Sequence, residues 1–225
     1  MEMEIVVPDE VPVMTLPNLT FFPQALLPLH IFEPRYREML RDVLASNRLF
    51  AVAGLDSRDN SGKFEPPHRI ATIGIVRACQ GNENGTSNLL LQGLARVEVK
   101  SIVREQPYRC IRVRALASRP GAASEENLRL RTSVSRLITT KHRLDGTAPG
   151  ELTRFLKTVE DPEIFADIAA FSVCEDPGLR QKLLETLDVH KRLELLDHYL
   201  RAEVDALKLR KTLQGDLPDD GIANN

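Results

Sequence analysis

Cysteine is scarce in this chain: Cys79, Cys110 and Cys174 are odd in number, far apart and form no Cys-x-x-Cys pair. Neither a disulfide framework nor a zinc ribbon is indicated, and buried free thiols are the expectation. Long apolar runs are missing as well; none approaches the roughly 20 residues that span a bilayer. The opening MEMEIVVPDEVPVMTLP is acidic and lacks the basic flank and unbroken apolar core of a signal peptide, so a cytoplasmic protein is expected. A net charge of −2 gives no general pull toward nucleic acid or an anionic membrane.

The signatures of catalysis are equally thin. No Gly-x-x-x-x-Gly-Lys-Ser/Thr segment exists to cradle a nucleotide, and there is no Gly-x-Ser-x-Gly elbow. The serines near lysines, Ser135 with Lys141 and Ser61 with Lys63, have no spacing that positions a base. His190, Glu194 and His198 share one helical face, but two turns put the histidines about 12 Å apart along the axis, too far to hold one ion. His190 and Glu194 alone offer two ligands of a weak site; a solvated polar face explains them as well. The sequence therefore predicts no enzyme and calls for no cofactor or metal.

What is present is organised around Leu16 to Gly54. Its apolar segments from Leu26 to Phe32 and from Leu49 to Leu55 read as strands. Pro23 and Pro28 confine the backbone there to edges, bends or bulges, because proline cannot donate to a central ladder. Between the strands Pro34 starts a helix, Glu33 sits at its positive end, and Tyr36, Met39, Leu40, Val43 and Leu44 form one stripe. His30 reads as a hydrogen-bonded structural histidine, and Glu33, Arg35 and Arg37 as a salt-bridged collar.

Three stretches resemble one family in its order: FFPQALLPLHIFEPRYREMLRDVLASNRLFAVAG from Phe21, NLLLQGLARVEV from Asn88, and KLLETLDVHKRLELLDHYLRAEVDALKLRK from Lys182. They are similar to the Lon substrate-binding domain, the amino-terminal region of the ATP-dependent Lon proteases, which also occurs free-standing. The likeness runs from about Val11 to Gln214. Gln24 departs from the pattern, since the family usually has glycine after the Phe-Pro pair. The resemblance implies a receptor for unfolded or apolar protein segments, without the ATPase and Ser-Lys protease modules that follow the long helix in Lon. It also implies an adaptor in proteolysis or quality control, with a protease or chaperone as a further partner.

The rest of the first half alternates as strands should. Ile70 to Ala78 is one, GNENGTSN a hairpin turn, and Leu89 to Val103 a second, with Ala95, Val97 and Val99 inward and Arg96, Glu98 and Lys100 outward. Gly93 marks a bulge or bend. A last strand runs from Tyr108 to Ala117. From Ser124 onward only helices are expected: one capped by Ser124 with Leu130, Val134, Leu137 and Ile138 inward, and a short ELTRFLKTV helix. Two more open on Glu160-Asp161-Pro162 and Glu175-Asp176-Pro177. The last, from Val189 to about Gln214, carries a Val189, Leu193, Leu196, Leu200, Val204, Leu207 stripe. The expected fold is α+β: a small antiparallel, PUA-like β-barrel with one helix, then a helical bundle. The expected divisions are a flexible 1–10, a barrel 11–120, a bundle 121–214 and a disordered 215–225.

Two binding modes follow. In the first, Phe21, Phe22, Leu26 and Phe50 contact an apolar or unfolded protein segment that adds a strand; the same four residues equally suit a core. In the second, an RNA backbone follows Arg96, Arg112 and Arg114, within a stretch holding seven cations against Glu98 and Glu105. Only Tyr108 is there to stack on bases, so nucleic acid is the alternative. Exposed leucines on the last helix would support a homo-oligomer.

Overall fold

One long strand holds the first half of the chain together. Strand β5 (Ser87–Arg104) has 18 residues, enough to serve different neighbours along its length. The others are β1 (Glu10–Leu16), β2 (Leu26–Ile31), β3 (Leu49–Gly54), β4 (Ile70–Gly81) and β6 (Cys110–Leu116). In the computed structural model, which describes residues 6–56, 66–146 and 150–215, the order is β2-β5-β4-β3-β1-β6. The second half of β5 also pairs with β6, closing a five-stranded barrel, while β2 lies along the first half of β5. Most of the polar stretch between Asp56 and Arg69, Ser61 with Lys63, most of Gly146 to Gly150 and the tail past 215 fall outside the described residues.

Val11, Val13, Ala51, Ile73, Val97 and Ile111 are among the residues that fill the barrel. Strand β1 went unforeseen because Pro8, Pro12 and Pro17 interrupt its pattern. It joins as a parallel neighbour of β3, with Pro12 at the end of its pairing to β6. The parallel step follows from the crossover through β2 and helix α1 (Pro34–Leu44). That helix buries Tyr36, Met39, Leu40 and Val43 as its spacing requires; Leu44, its last residue, is exposed.

The bulge expected at Gly93 is real. Gly74 pairs with Gly93 and Ile73 with Ala95, leaving Leu94 as the extra residue. A Cβ on Gly93 would stand 2.1 Å from the Phe22 carbonyl oxygen, so only glycine lets the incoming chain approach this closely. Gln24 donates from its backbone N–H to the Gly93 carbonyl at 2.9 Å and takes φ of +63° to do so. The family's glycine would be unstrained there; a glutamine is not.

The chain forms two compact units, Met1–Arg119 with Asp167–Asp188, and Pro120–Ala166 with Val189–Asn225. The first therefore takes in α5 (Pro177–Glu185) and part of α4 (Pro162–Val173), a return that the division into 11–120 and 121–214 does not contain. The Asp-Pro punctuation works as expected: Asp161 accepts from the Ile164 N–H at 2.9 Å, and Asp176 from the Leu179 N–H at 2.5 Å. In the second unit α2 (Ser124–Leu144) packs on α6 (Val189–Gly215), whose Leu193, Leu196, Leu200 and Val204 are buried. Ser124 is the first helical residue rather than the cap, which falls on Ala123. α3 is Glu151–Thr158.

The expected outward orientation of Arg96 and Glu98 holds, but it does not bring them to solvent: both are buried. Within the first unit Arg96 donates Nη1 and Nη2 to the two Asp167 carboxylate oxygens at 2.7 and 2.5 Å, and Nε to the Leu184 carbonyl at 3.0 Å. Each side chain is 2% exposed, so this is a fully desolvated bidentate pair.

Two stability measurements follow. Asp167→Ala should cost about 3–5 kcal/mol by urea denaturation, because it strands a buried guanidinium, whereas replacing both partners with apolar residues should recover most of the loss. Gln24→Gly should gain about 0.5–1 kcal/mol, the relief of left-handed strain less the extra freedom glycine gives the unfolded chain.

Candidate functional site

The three strands β2, β5 and β4 run beyond the barrel closure as a sheet of their own, and pairing fixes which side chains share a face. Leu27, Leu91 and Val76 form one row, and Leu29, Leu89 and Cys79 the next; Leu27, Leu91, Val76 and Leu89 are buried. On the opposite face stand Leu26 with Gln92, Pro28 with Leu90 and Ala78, and His30 with Asn88 and Gln80. Leu26, Pro28 and His30 are exposed, and Phe32 just after the strand continues their alternation. Leu26 is 52% and Phe32 61% exposed, the two large apolar side chains of this region left in water. A shallow groove of about 280 Å³ runs along the same rows past Pro28, Ala78 and Leu90.

Among the described residues β2 pairs only with β5, so its other edge is open. His30 Nδ1 lies 2.7 Å from Asn88 Oδ1, and its ring stacks on Phe32 with centroids 6.0 Å apart, which holds the phenylalanine in place. An open edge flanked by outward apolar side chains can take an extended segment as an added strand.

Of the four apolar residues named from sequence, Leu26 alone reaches this surface. Phe21, Phe22 and Phe50 are 1%, 0% and 0% exposed and belong to the core, where Phe21 meets Phe171 edge-on at 6.4 Å. Burying a phenylalanine gains about 1.5–3 kcal/mol, so this outcome is the ordinary one. Phe32 closes the expected apolar segment but is not among the four contacts named from sequence; it sits two residues before α1, yet it continues the period-two alternation from Leu26, and that is the available signal.

The basic stretch is largely neutralised within the fold. Arg96 is taken by Asp167, Arg112 by Glu10 at 2.6 Å, Arg109 by Glu105 at 3.1 Å and Arg119 by Asp188 at 3.9 Å. Arg114, Lys100 and Arg69 converge on Glu98 at 2.6, 2.7 and 2.6 Å. Counting charges along the sequence misses Glu10, Asp167 and Asp188, which arrive from outside the window. Tyr108 is buried, with its hydroxyl donated to Asp42 at 2.6 Å, so it offers no stacking surface. Lys100, then Arg69 and Arg114, hold the Glu98 carboxyl down at about 2, against the opposing effect of burial.

The remaining candidates are structural. His190 Nδ1 lies 2.9 Å from Asn127 Oδ1, and the ring lies 3.5 Å from Glu194; among the described residues no three metal-ligating side chains cluster. Arg35 pairs with Glu33 at 2.9 Å, while Arg37 reaches over Gly85. None of the three cysteines is in a disulfide; Cys174 is buried and the other two half-buried. No helix among the described residues is long and apolar enough to cross a membrane.

Residues 10–202 match the family model described as the ATP-dependent protease La (LON) substrate-binding domain. A Lon protease of Desulfosudis oleivorans is 26% identical over 215 residues, covering 95% of this chain and 26% of that protein. The Lon protease of Dictyoglomus thermophilum is 24% identical, covering 95% of this chain and 27% of its own length. This chain thus spans about a quarter of the curated relatives it matches. Among solved structures, the N-terminal domain of Mycobacterium avium complex Lon protease superposes with a TM-score of 0.66 at 17% identity, covering 85% of this chain and 98% of that one. A Lon N-terminal domain protein from Xanthomonas campestris gives 0.60 at 22% identity, over 83% and 96%.

The Glu98 cluster makes a pH measurement. The folded carboxyl value of about 2 lies below the ~4.3 of an unfolded glutamate, so its contribution is complete above that range and is lost as pH falls toward 2. Urea midpoints at stepped pH should show the advantage of the natural chain over Glu98→Gln shrinking across that window; a difference that stays constant would contradict it.

Proposed function

The chain belongs to the ATP-dependent protease La (LON) substrate-binding domain family, and from that premise we propose that it is a non-catalytic protein-binding module. Its ligand is an extended, apolar segment of an unfolded protein. The supporting observation is the open edge of β2 with Leu26 and Phe32 standing half in water beside it. Backbone groups of the guest complete the ladder, and its outward side chains cover Leu26, Phe32 and the Pro28–Leu90 row. Pro28 removes one donor from the strand, which blunts unlimited edge-to-edge growth while leaving the apolar face intact.

Delivery of the captured segment to a separate protease or chaperone is the wider role that this reading serves. Contact with RNA is not carried forward, because Arg96 is sealed in the fold and Arg112 and Arg114 are paired.

Fluorescence anisotropy with labelled unfolded casein tests the proposal. Saturable binding at micromolar levels is expected. Leu26→Ala with Phe32→Ala should weaken it about thirtyfold, taking about 1 kcal/mol for each half-exposed side chain that becomes covered. No saturation, or affinity indifferent to both substitutions, would remove the edge as the binding surface.

A further inference from the structure

The sheet that runs beyond the barrel carries almost no charge. Residues 26–31, 75–81 and 87–93 hold no aspartate or glutamate and a single arginine or lysine, Arg77. Arg77 is the extra residue of a second bulge, between Val76, opposite Leu91, and Ala78, opposite Leu90. A bulge breaks the strand's alternation and re-aims the side chain. Here it crosses to β5, where Nε donates to the Gln92 side-chain oxygen at 2.6 Å. Gln92 pairs with Leu26 on the outward face, so the guanidinium stands on that face, at the Leu26 end of the apolar rows.

Unlike the cations outside the barrel, this one is not neutralised. Arg69, Lys100 and Arg114 share Glu98, and Arg96 has Asp167. Arg77 is exposed, its hydrogen-bond partner among the described residues is a neutral amide, and Nη1 and Nη2 are left over. The acids along these strands are distant or taken. Glu83 lies in the turn beyond Ser87, with about 17 Å of strand between Ser87 and Gln92. Glu33 is paired with Arg35. Arg48 adds to the positive excess: it is exposed, enters no ion pair among the described residues, and its carbonyl accepts from the Val76 N–H at 3.0 Å, which sets its backbone beside the bulge.

We propose that the segment captured at β2 is apolar and carries a carboxylate side chain at the end that covers Leu26, and that Arg77 selects it. The inference rests on the capture of extended segments at β2 and adds the chemistry of what is captured. A guest covering Leu26 and Gln92 comes beside Arg77 and excludes water from one side of it, where a charge-assisted contact gains strength. With Nε committed to Gln92 the guanidinium plane is set, and its terminal nitrogens present a fork that matches a carboxylate. A lysine or arginine at that place would meet like charge. A wholly apolar guest would partly desolvate Arg77 and give it no partner.

Three labelled peptides test this by fluorescence anisotropy on the full chain: acetyl-Glu-Thr-Leu-Thr-Val-Thr-Phe-Thr-Glu-amide, and the same peptide with Gln or with Lys in place of both Glu. The alternation keeps the acids on the face of the apolar residues, so one carboxylate falls at Leu26 whichever way the guest runs. The Glu peptide should bind about threefold more tightly than the Gln peptide, the worth of a largely exposed ion pair, and the Lys peptide more weakly than either. Raising salt from about 0.05 M to about 0.5 M should shrink the difference. Arg77→Gln should remove the Glu preference, and Arg77→Glu should transfer it to the Lys peptide. Absence of saturation by all three would discard the β2 edge and this inference with it. Equal affinities for the Glu and Gln peptides on the natural chain, a comparison that needs no substitution, would overturn selection by charge and leave the capture standing. A Glu preference that survives in Arg77→Gln would overturn the assignment to Arg77.

Discussion

An 18-residue strand cannot leave its hydrogen-bonding groups idle, and satisfying β5 from end to end dictates the first unit. Its first half needs a partner on each side and takes β2 and β4; its second half keeps β4 and exchanges β2 for β6. The exchange requires a change of direction, which the extra residue Leu94 and the glycine before it supply. Barrel closure and the protruding three-stranded sheet are thus one solution to a single pairing problem. The open β2 edge is what remains when β6, rather than another strand beside β2, closes the ring.

The charged outside of the same strand shows how burial and polarity are reconciled. Arg96 and Glu98 occupy outward positions where a solvated barrel would place them, but the segment from Asp167 to Asp188 folds back within the unit and covers that face. A charge can stay there only if paired, and each is: Arg96 by a two-pronged contact with Asp167, Glu98 by three cations. Such contacts add little net stability over an apolar filling, yet they tolerate no wrong partner, so they set which surface the returning segment meets.

Much of this was legible in the residues. The α1 stripe, the Asp-Pro starts of α4 and α5, the bulge at Gly93 and the buried face of α6 follow from spacing and local backbone chemistry, which act over a few residues. What was illegible depended on distant neighbours. Strand β1 carries three prolines in and around it and is recognisable only once β3 and β6 flank it. The burial of Arg96 depends on Asp167, 71 positions away. Phenylalanines at 21, 22 and 50 and Leu26 look alike in sequence; only the pairing of β2 with β5 decides that the leucine faces water while the rings face inward. Phe32 reads from sequence only as the end of an apolar segment, because the helix cap Glu33 follows it, although the strand's alternation reaches it.

Proline 28 has a kinetic consequence. In the binding mode proposed above, a guest lying along β2 would forgo a ladder bond at that residue, and its hold would rest on apolar side chains rather than an unbroken backbone seam. Contacts of that kind form without demanding registry and release quickly. Under the capture role proposed above, short residence would suit the sampling and release of many chains.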